Sequence, residues 1–182
     1  MNVSSDKELV QLFRAENSRN YAFNLIVKKY QEKLYWHIRK MLISHEETDD
    51  VLQNTFINAF QGLNNFREDA SLFTWLYRIA TNEALTALKK KKRRYFLSLS
   101  DVQSQLEKSL EADDFIDGED IRMKLQKAIL TLPEKQRIVF NMKYFDELKY
   151  EEMAEILNTT VGALKASYHH AVKKIEKYLE EH

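Results

Sequence analysis

No cysteine occurs anywhere in the 182 residues. Disulfides and thiolate metal sites are therefore excluded, and a reducing compartment is compatible with the chain. Proline appears once and glycine three times. A many-stranded protein needs far more turn residues than that, so the expected class is all-α. No apolar run approaches the length of a membrane span, and the opening MNVSSDKELV lacks the apolar core of a secretory signal. A cytoplasmic location is the expectation. Net charge is missing too, since 28 Lys and Arg balance 28 Asp and Glu. A zero balance argues against a polyanionic partner only if the charges are evenly mixed. They are not. Lys89–Arg94 is an unbroken run of six cations, whereas 98–120 holds eight acids against Lys108 alone. Screening confines such fields to about 10 Å, so local patches decide what binds.

What is present is helical periodicity. Ser5 and Glu8 have the spacing of a capping box, opening a short helix through Leu9, Leu12 and Phe13. A longer helix follows with Phe23, Ile26, Tyr30, Leu34, Ile38 and Met41 on one face. Ser44–Asp50 reads as an acidic break. The third helix buries Val51, Leu52, Phe56, Ala59, Phe60 and Leu63 and turns Asp50, Gln53, Asn54 and Asn58 to solvent. After a polar loop over 62–71, Leu76, Ile79, Ala80, Ala84 and Leu88 mark a fourth helix that runs into the lysines. These four enclose one small core, residues 1–95. The acidic stretch 96–119 reads as a linker, partly helical at most. A second domain, 120–182, opens with a helix through Ile121, Leu125, Ile129 and Leu130, and Pro133 suits the first turn of the next.

The C-terminal stretch has the pattern of a helix-turn-helix. Met153, Ala154, Ile156 and Leu157 give a short helix an apolar face, with Glu151 and Glu152 at its positive end. Asn158 tolerates the left-handed conformation that ends a helix, and Thr160 can cap the next. That helix buries Leu164, Tyr168, Ala171, Ile175 and Leu179, and its other side carries Lys165, Ser167, His169, His170, Lys173 and Lys174. An ordinary helical hairpin has the same periodicity, so this stretch by itself leaves both readings open. In the first domain Phe73, Trp75 and Tyr77 alternate with Thr74, Arg78 and Asn82 ahead of the cation run. Aromatic faces stack on unpaired bases at about 1–3 kcal/mol each while cations hold phosphates, although most aromatics at helical spacing are core.

Together these stretches resemble the sigma factors of bacterial RNA polymerase, in the small two-domain extracytoplasmic-function group, from about Tyr21 to Tyr178. The first motif is carried by Asp50, Val51, Gln53, Phe56, Ala59 and Phe60. It continues in Phe66, Arg67, Ser71, Phe73, Thr74, Trp75, Leu76, Tyr77, Arg78, Ile79, Ala80 and Asn82. The second runs through Leu132, Pro133, Gln136, Arg137, Val139 and Phe140, then Tyr150, Glu152, Met153, Ala154, Ile156 and Leu157. The resemblance implies that Asp50, Gln53, Asn54, Phe56 and Asn58 dock on core RNA polymerase. It implies a cradle for a flipped base of the minus-ten element in the loop from Asn64 to Ser71, including Phe66 and Arg67. Phe73, Thr74, Trp75, Arg78, Asn82, Lys89 and Lys90 would hold the melted strand. Thr160, Gly162, Ala163, Lys165, Ala166, Ser167, His169, His170, Lys173 and Lys174 would meet the minus-thirty-five element in the major groove of promoter DNA. An anti-sigma factor is the implied restraint.

Departures from the family pattern lie in the last helix. Ser167 and His170 stand where relatives carry arginines, Ala163 where threonine is usual, and Asn158 replaces a glycine. Fewer charges mean fewer phosphate contacts, hence weak stand-alone promoter affinity. Two other readings compete. A conventional regulator binding duplex DNA without polymerase accounts for 132–178 but leaves Trp75, Arg78 and the loop at Asn64 without a task. A metal-dependent nuclease would use His45, Asp49 and Asp50, or His169 and His170, but no ligand set of fixed spacing exists. No catalysis by this chain, no metal, no cofactor and no small-molecule substrate are expected.

Overall fold

A computed structural model describes residues 5–95 and 120–182, with Ser104 and Lys108 besides. The expected linker otherwise lies outside the described residues, as do the side chains of Arg94, Tyr95, Asp120 and Ile121. Among the described residues the regular structure is helical. The N-terminal helices are α1 (Asp6–Arg14), α2 (Arg19–Leu42), α3 (His45–Gly62) and α4 (Leu72–Tyr95). The C-terminal ones are α5 (Asp120–Leu130), α6 (Glu134–Tyr144), α7 (Tyr150–Leu157) and α8 (Val161–Glu181).

Caps set most of the boundaries. The expected box forms at α1: Glu8 N–H donates to Ser5 Oγ at 3.3 Å, and Ser5 N–H to Glu8 Oε2 at 2.8 Å. The inward residues are Leu9, Val10 and Phe13; Leu12 is exposed, so Val10 takes the place expected of it. Ser44–Asp50 is no break. Ser44 caps α3 through Glu47 N–H, and Glu46 and Glu47 fall in the first turn, where the helix dipole favours acids. The reversal between α2 and α3 is made over Ile43 and Ser44, with Ile43 at φ 63° and its N–H on the Arg39 carbonyl. A β-branched residue is strained there, and burial of its side chain offsets the cost. Pro133 sits just before α6 rather than in its first turn. Asn158 does adopt the left-handed conformation (φ 48°, ψ 56°), and Thr160 Oγ1 accepts from Ala163 N–H.

Fully buried Leu34, Ile38, Leu76, Ala80 and Ala84 fill the centre of the α2–α3–α4 bundle. This cluster does not stop at the linker. Ile138, Val139, Met142, Leu148, Met153, Ile156 and Leu164 belong to the same apolar body. A second, smaller cluster of Ala128, Ile129, Leu132, Phe140, Ala171 and Ile175 lies wholly among the C-terminal helices. At the end of α8 Tyr178 packs against it, while Leu179 is 41% exposed. The tyrosine, three residues past Ile175, reaches inward where the leucine four residues past it was expected.

Polar contacts tie the two halves together. His37 Nδ1 meets Asp146 Oδ2 at 2.9 Å, and it must carry the proton, because an ionised carboxylate only accepts. Lys40 Nζ pairs with the other carboxylate oxygen, and Asn141 Nδ2 donates to the Lys40 carbonyl at 3.4 Å. His37 and Asp146 are 1% and 5% exposed. Burial penalises the charged Asp146, yet the His37 hydrogen bond and the charges of His37 and Lys40 outweigh it. Its carboxyl is held below the usual range. Because folding lowers this pKa, the carboxylate stabilises the packing above its unfolded value of about 3.9 and loses that effect as pH falls through the folded value. Asp146→Asn should therefore cost about 1.5–3 kcal/mol in urea unfolding at pH 7, and its gap from the native chain should shrink as pH drops below about 4. A gap that stays constant down to acid pH would mean the carboxylate does not act through its charge.

Candidate nucleic-acid interface

The N-terminal half of the site is a loop and the first turns of α4. Ser71 Oγ accepts from Thr74 N–H at 3.0 Å and contacts the Thr74 hydroxyl at 2.9 Å, which fixes where α4 begins. Thr74 is 2% exposed and Phe66 7%, so both build the floor of the site rather than its face. Above them the half-buried Trp75 ring leans on Phe66, centroids 5.1 Å apart at 43°. A Cβ at Gly62 would approach the Trp75 ring to 3.2 Å, so glycine leaves the indole its place. Phe73 packs on Tyr77 at 4.4 Å with Lys33 over its outer face. Tyr77 is buried, which pushes its phenol pKa up, and the Asp146 charge adds to the shift.

The loop is held from a distance that spacing does not reveal. Arg14, at the end of α1, donates Nη2 to the Phe66 carbonyl at 2.6 Å and Nη1 to Glu68 at 2.8 Å. Glu68 itself sits at φ 63°. Sequence reasoning missed Arg14: its partners lie over fifty residues away, and a single arginine ending an amphipathic helix looks like ordinary solvation. The result is a cavity of about 430 Å³ lined by Asn65, Phe66, Arg67, Asp69, Ala70, Trp75 and Arg78, with Glu155 and Asn158 from the C-terminal half. An aromatic wall and two guanidinium groups on one cavity suit an unstacked base and its phosphates. Asn64, Arg67, Ser71, Arg78, Asn82, Lys89 and Lys90 are all exposed.

On α3, Asp50, Gln53, Asn54 and Asn58 are exposed as expected, but they do not form one uniform face. Asp50 and Asn54 line a mixed groove in which Glu47, Glu83, Lys90 and Lys91 rim the apolar Leu42, Val51, Ala87 and Leu88, and Asn58 Nδ2 donates to Glu83 at 2.9 Å. Gln53 and half-buried Phe56 line an apolar groove with Phe23, Val27, Ile57 and Phe60.

On α8 the N-terminal turn is open. Thr160, Gly162, Ala163, Lys165 and Ala166 are exposed, and a Cβ at Gly162 would meet nothing within 4 Å. His169, His170, Lys173 and Lys174 continue that outer surface, with Ser167 at its margin. Beneath it Tyr168 stacks on Phe140 at 5.7 Å and anchors the helix to α6. Two of the cations are engaged at the surface: Lys165 Nζ lies 5.7 Å from the Tyr150 ring centroid, and Lys173 pairs with Glu176 at 3.1 Å. His45 and Asp49 approach only to 3.6 Å in the open. No group of three metal-ligating side chains occurs among the described residues, and no helix there is long and apolar enough to cross a membrane.

Two family models match: Sigma-70 region 2 over residues 26–94 and Sigma-70, region 4 over 122–175. Among curated proteins the chain is 34% identical to the ECF RNA polymerase sigma factor SigW of Bacillus subtilis, across 88% of this chain and 90% of that one. It is 32% identical to the RNA polymerase sigma-H factor of Pseudomonas aeruginosa, across 96% and 94%. The ECF RNA polymerase sigma-E factor of Escherichia coli is 31% identical across 97% and 95%. Two solved structures share the fold. CnrH, in complex with the cytosolic domain of CnrY, aligns at TM-score 0.69 and 22% identity over 98% of this chain and 99% of that one. The sigma factor RpoE of Bartonella quintana, in complex with the anti-sigma factor NepR, aligns at 0.67 and 18% over 87% and 96%.

Proposed function

Since this chain belongs to the extracytoplasmic-function group of the sigma-70 family, we propose how its two halves divide the work of promoter-specific transcription initiation with core RNA polymerase. Residues 1–95 form the unit that binds polymerase and opens the strands. The exposed polar face of α3, with its adjoining grooves, docks on polymerase through Asp50, Gln53, Asn54, Phe56 and Asn58. The Trp75 cavity takes a base extruded from the minus-ten element, and Arg67, Arg78, Asn82, Lys89 and Lys90 hold the strand around it. Extruding a base costs a few kcal/mol, which stacking on Trp75 and a shaped pocket offset. Residues 120–182 read the minus-thirty-five element with the open N-terminal turn of α8, while Lys165, Lys173 and Lys174 hold phosphates. Joining the two raises the effective concentration of the second contact.

This chain performs no bond chemistry in that scheme; polymerase does. It works in the cytoplasm, where polymerase and DNA are, and an anti-sigma protein that covers the α3 grooves restrains it. One observation carries the reading above all: an aromatic wall that shares one cavity with Arg67 and Arg78, which a duplex-only regulator would not use. Reconstitution with core polymerase and run-off mapping on genomic DNA tests it. Defined start sites should appear only when the chain is added, and a promoter fragment retarded equally well without polymerase would favour the stand-alone regulator. In holoenzyme binding measured across salt, Lys174→Ala should lower the slope of log K against log salt by about 0.9. An unchanged slope would remove Lys174 from the phosphate contacts.

A further inference from the structure

The Trp75 cavity depends on a loop that packing alone does not fix. A second cavity, of about 200 Å³, opens between α1 and that loop, lined by Asp6, Lys7 and Val10 of the helix and by Glu68, Ala70 and Ser71 of the loop. Arg14 spans from one to the other with both ends of its guanidinium: Nη2 meets the Phe66 carbonyl at 2.6 Å and Nη1 meets Glu68 Oε1 at 2.8 Å. These two anchors lie on either side of Arg67, which is exposed and lines the Trp75 cavity. Phe66 is also the ring on which Trp75 leans. Glu68 holds φ 63°, a conformation that a residue other than glycine keeps only where its surroundings impose it. The base of the grip is firm. Phe13, next to Arg14, is fully buried, and at the far end of α1 Asp6 accepts from Lys29 Nζ at 2.8 Å and from the Tyr30 hydroxyl at 2.7 Å.

We propose that Arg14 is a positioning residue for strand opening: by gripping the loop on both sides of Arg67, it keeps the Trp75 cavity formed before a base arrives. The proposal rests on the assignment of that cavity to unpaired DNA. Arg14 itself touches no DNA in this scheme, because both of its terminal nitrogens are engaged with the loop. The Arg14 and Glu68 side chains are 39% and 35% exposed, and an ion pair so open to water adds little to global stability. Its effect is local, on one loop. A site formed in only a fraction of molecules acts more weakly by that fraction, so a loop left competent in one chain in ten slows opening about tenfold.

The two tryptophans provide the readout. The full chain is labelled with 5-fluorotryptophan, and its fluorine resonances are assigned with Trp36→Phe. Trp36, exposed on α2, serves as the internal reference. Arg14→Gln should displace or broaden the Trp75 resonance, leave that of Trp36 in place, and keep the urea midpoint close to native. With core polymerase, the same variant should slow promoter opening about tenfold, read by permanganate, while retention on immobilised polymerase stays native. A lysine can meet the Phe66 carbonyl or Glu68 but lacks the fork that meets both, so Arg14→Lys should fall between. Arg14→Gln should also lose most of its effect when Trp75 is already alanine, whereas independent effects multiply in full. A Trp75 resonance unchanged in Arg14→Gln overturns the grip. A displaced resonance with native opening, or a full tenfold loss that persists without Trp75, overturns the positioning role. Native opening by Trp75→Ala would instead sink the assignment of the cavity, and the fluorine result does not depend on that assignment.

Discussion

Replacing Trp75 by alanine should slow promoter opening about 5- to 150-fold, the equivalent of about 1–3 kcal/mol of base stacking, while polymerase is still captured at close to the native level. The reason is position. The indole lines the cavity together with Arg67 and Arg78, with its ring on Phe66 and its place secured by Gly62. The docking face proposed on α3, at Asp50, Gln53, Asn54, Phe56 and Asn58, does not include the ring. Permanganate reactivity of unpaired thymines reads the opened strand, and retention of the chain on immobilised core polymerase reads capture. Trp75→Phe keeps a smaller stacking face and should fall between native and alanine. If capture falls as far as opening, Trp75 supports the fold and not the strand.

Phe13→Ala should destabilise the chain by about 3–5 kcal/mol, in the range of large aromatic truncations in packed cores. Phe13 is fully buried. Its ring meets Phe60 edge-on at 5.3 Å and Phe23 at 5.9 Å, with the Arg19 guanidinium 5.1 Å from its centroid. Nothing nearby is free to collapse into the space, because Phe23 and Phe60 are themselves in edge contact at 5.0 Å. Loss of Phe13 also loosens α1, and with it the Arg14 contacts that hold the 66–68 backbone. Urea unfolding gives the stability, and run-off transcription should fall with it even at temperatures where the variant is folded. A loss under about 1 kcal/mol would show that α1 is an ornament on the bundle rather than part of its core.

Where local chemistry sets a feature, the sequence was a sufficient guide. The Ser5 box, the left-handed Asn158 and the Thr160 cap each depend on neighbours within four residues. The exposure of Gln53, Asn54, Lys165 and His169 follows from helical periodicity. Errors arose at the margins of an apolar stripe. Val10 and Leu12 flank the Leu9–Phe13 stripe on opposite sides, as Tyr178 and Leu179 flank Ile175, and the facing helix decides which flank is covered. The acids of 44–50 look like a break by charge alone, yet the Ser44 cap makes them the first turns of α3.

The amino-acid sequence by itself determined the helical class and the family, since each is written in short-range spacing or in ordered motifs. Only the tertiary structure decided that Phe66 and Thr74 lie under the site, that Arg14 holds its loop, and that Asp146 meets His37 more than a hundred residues away. Contacts of that kind arise from how whole helices cross, and the energy that selects a crossing is spread over many apolar side chains. No single residue in the chain announces it.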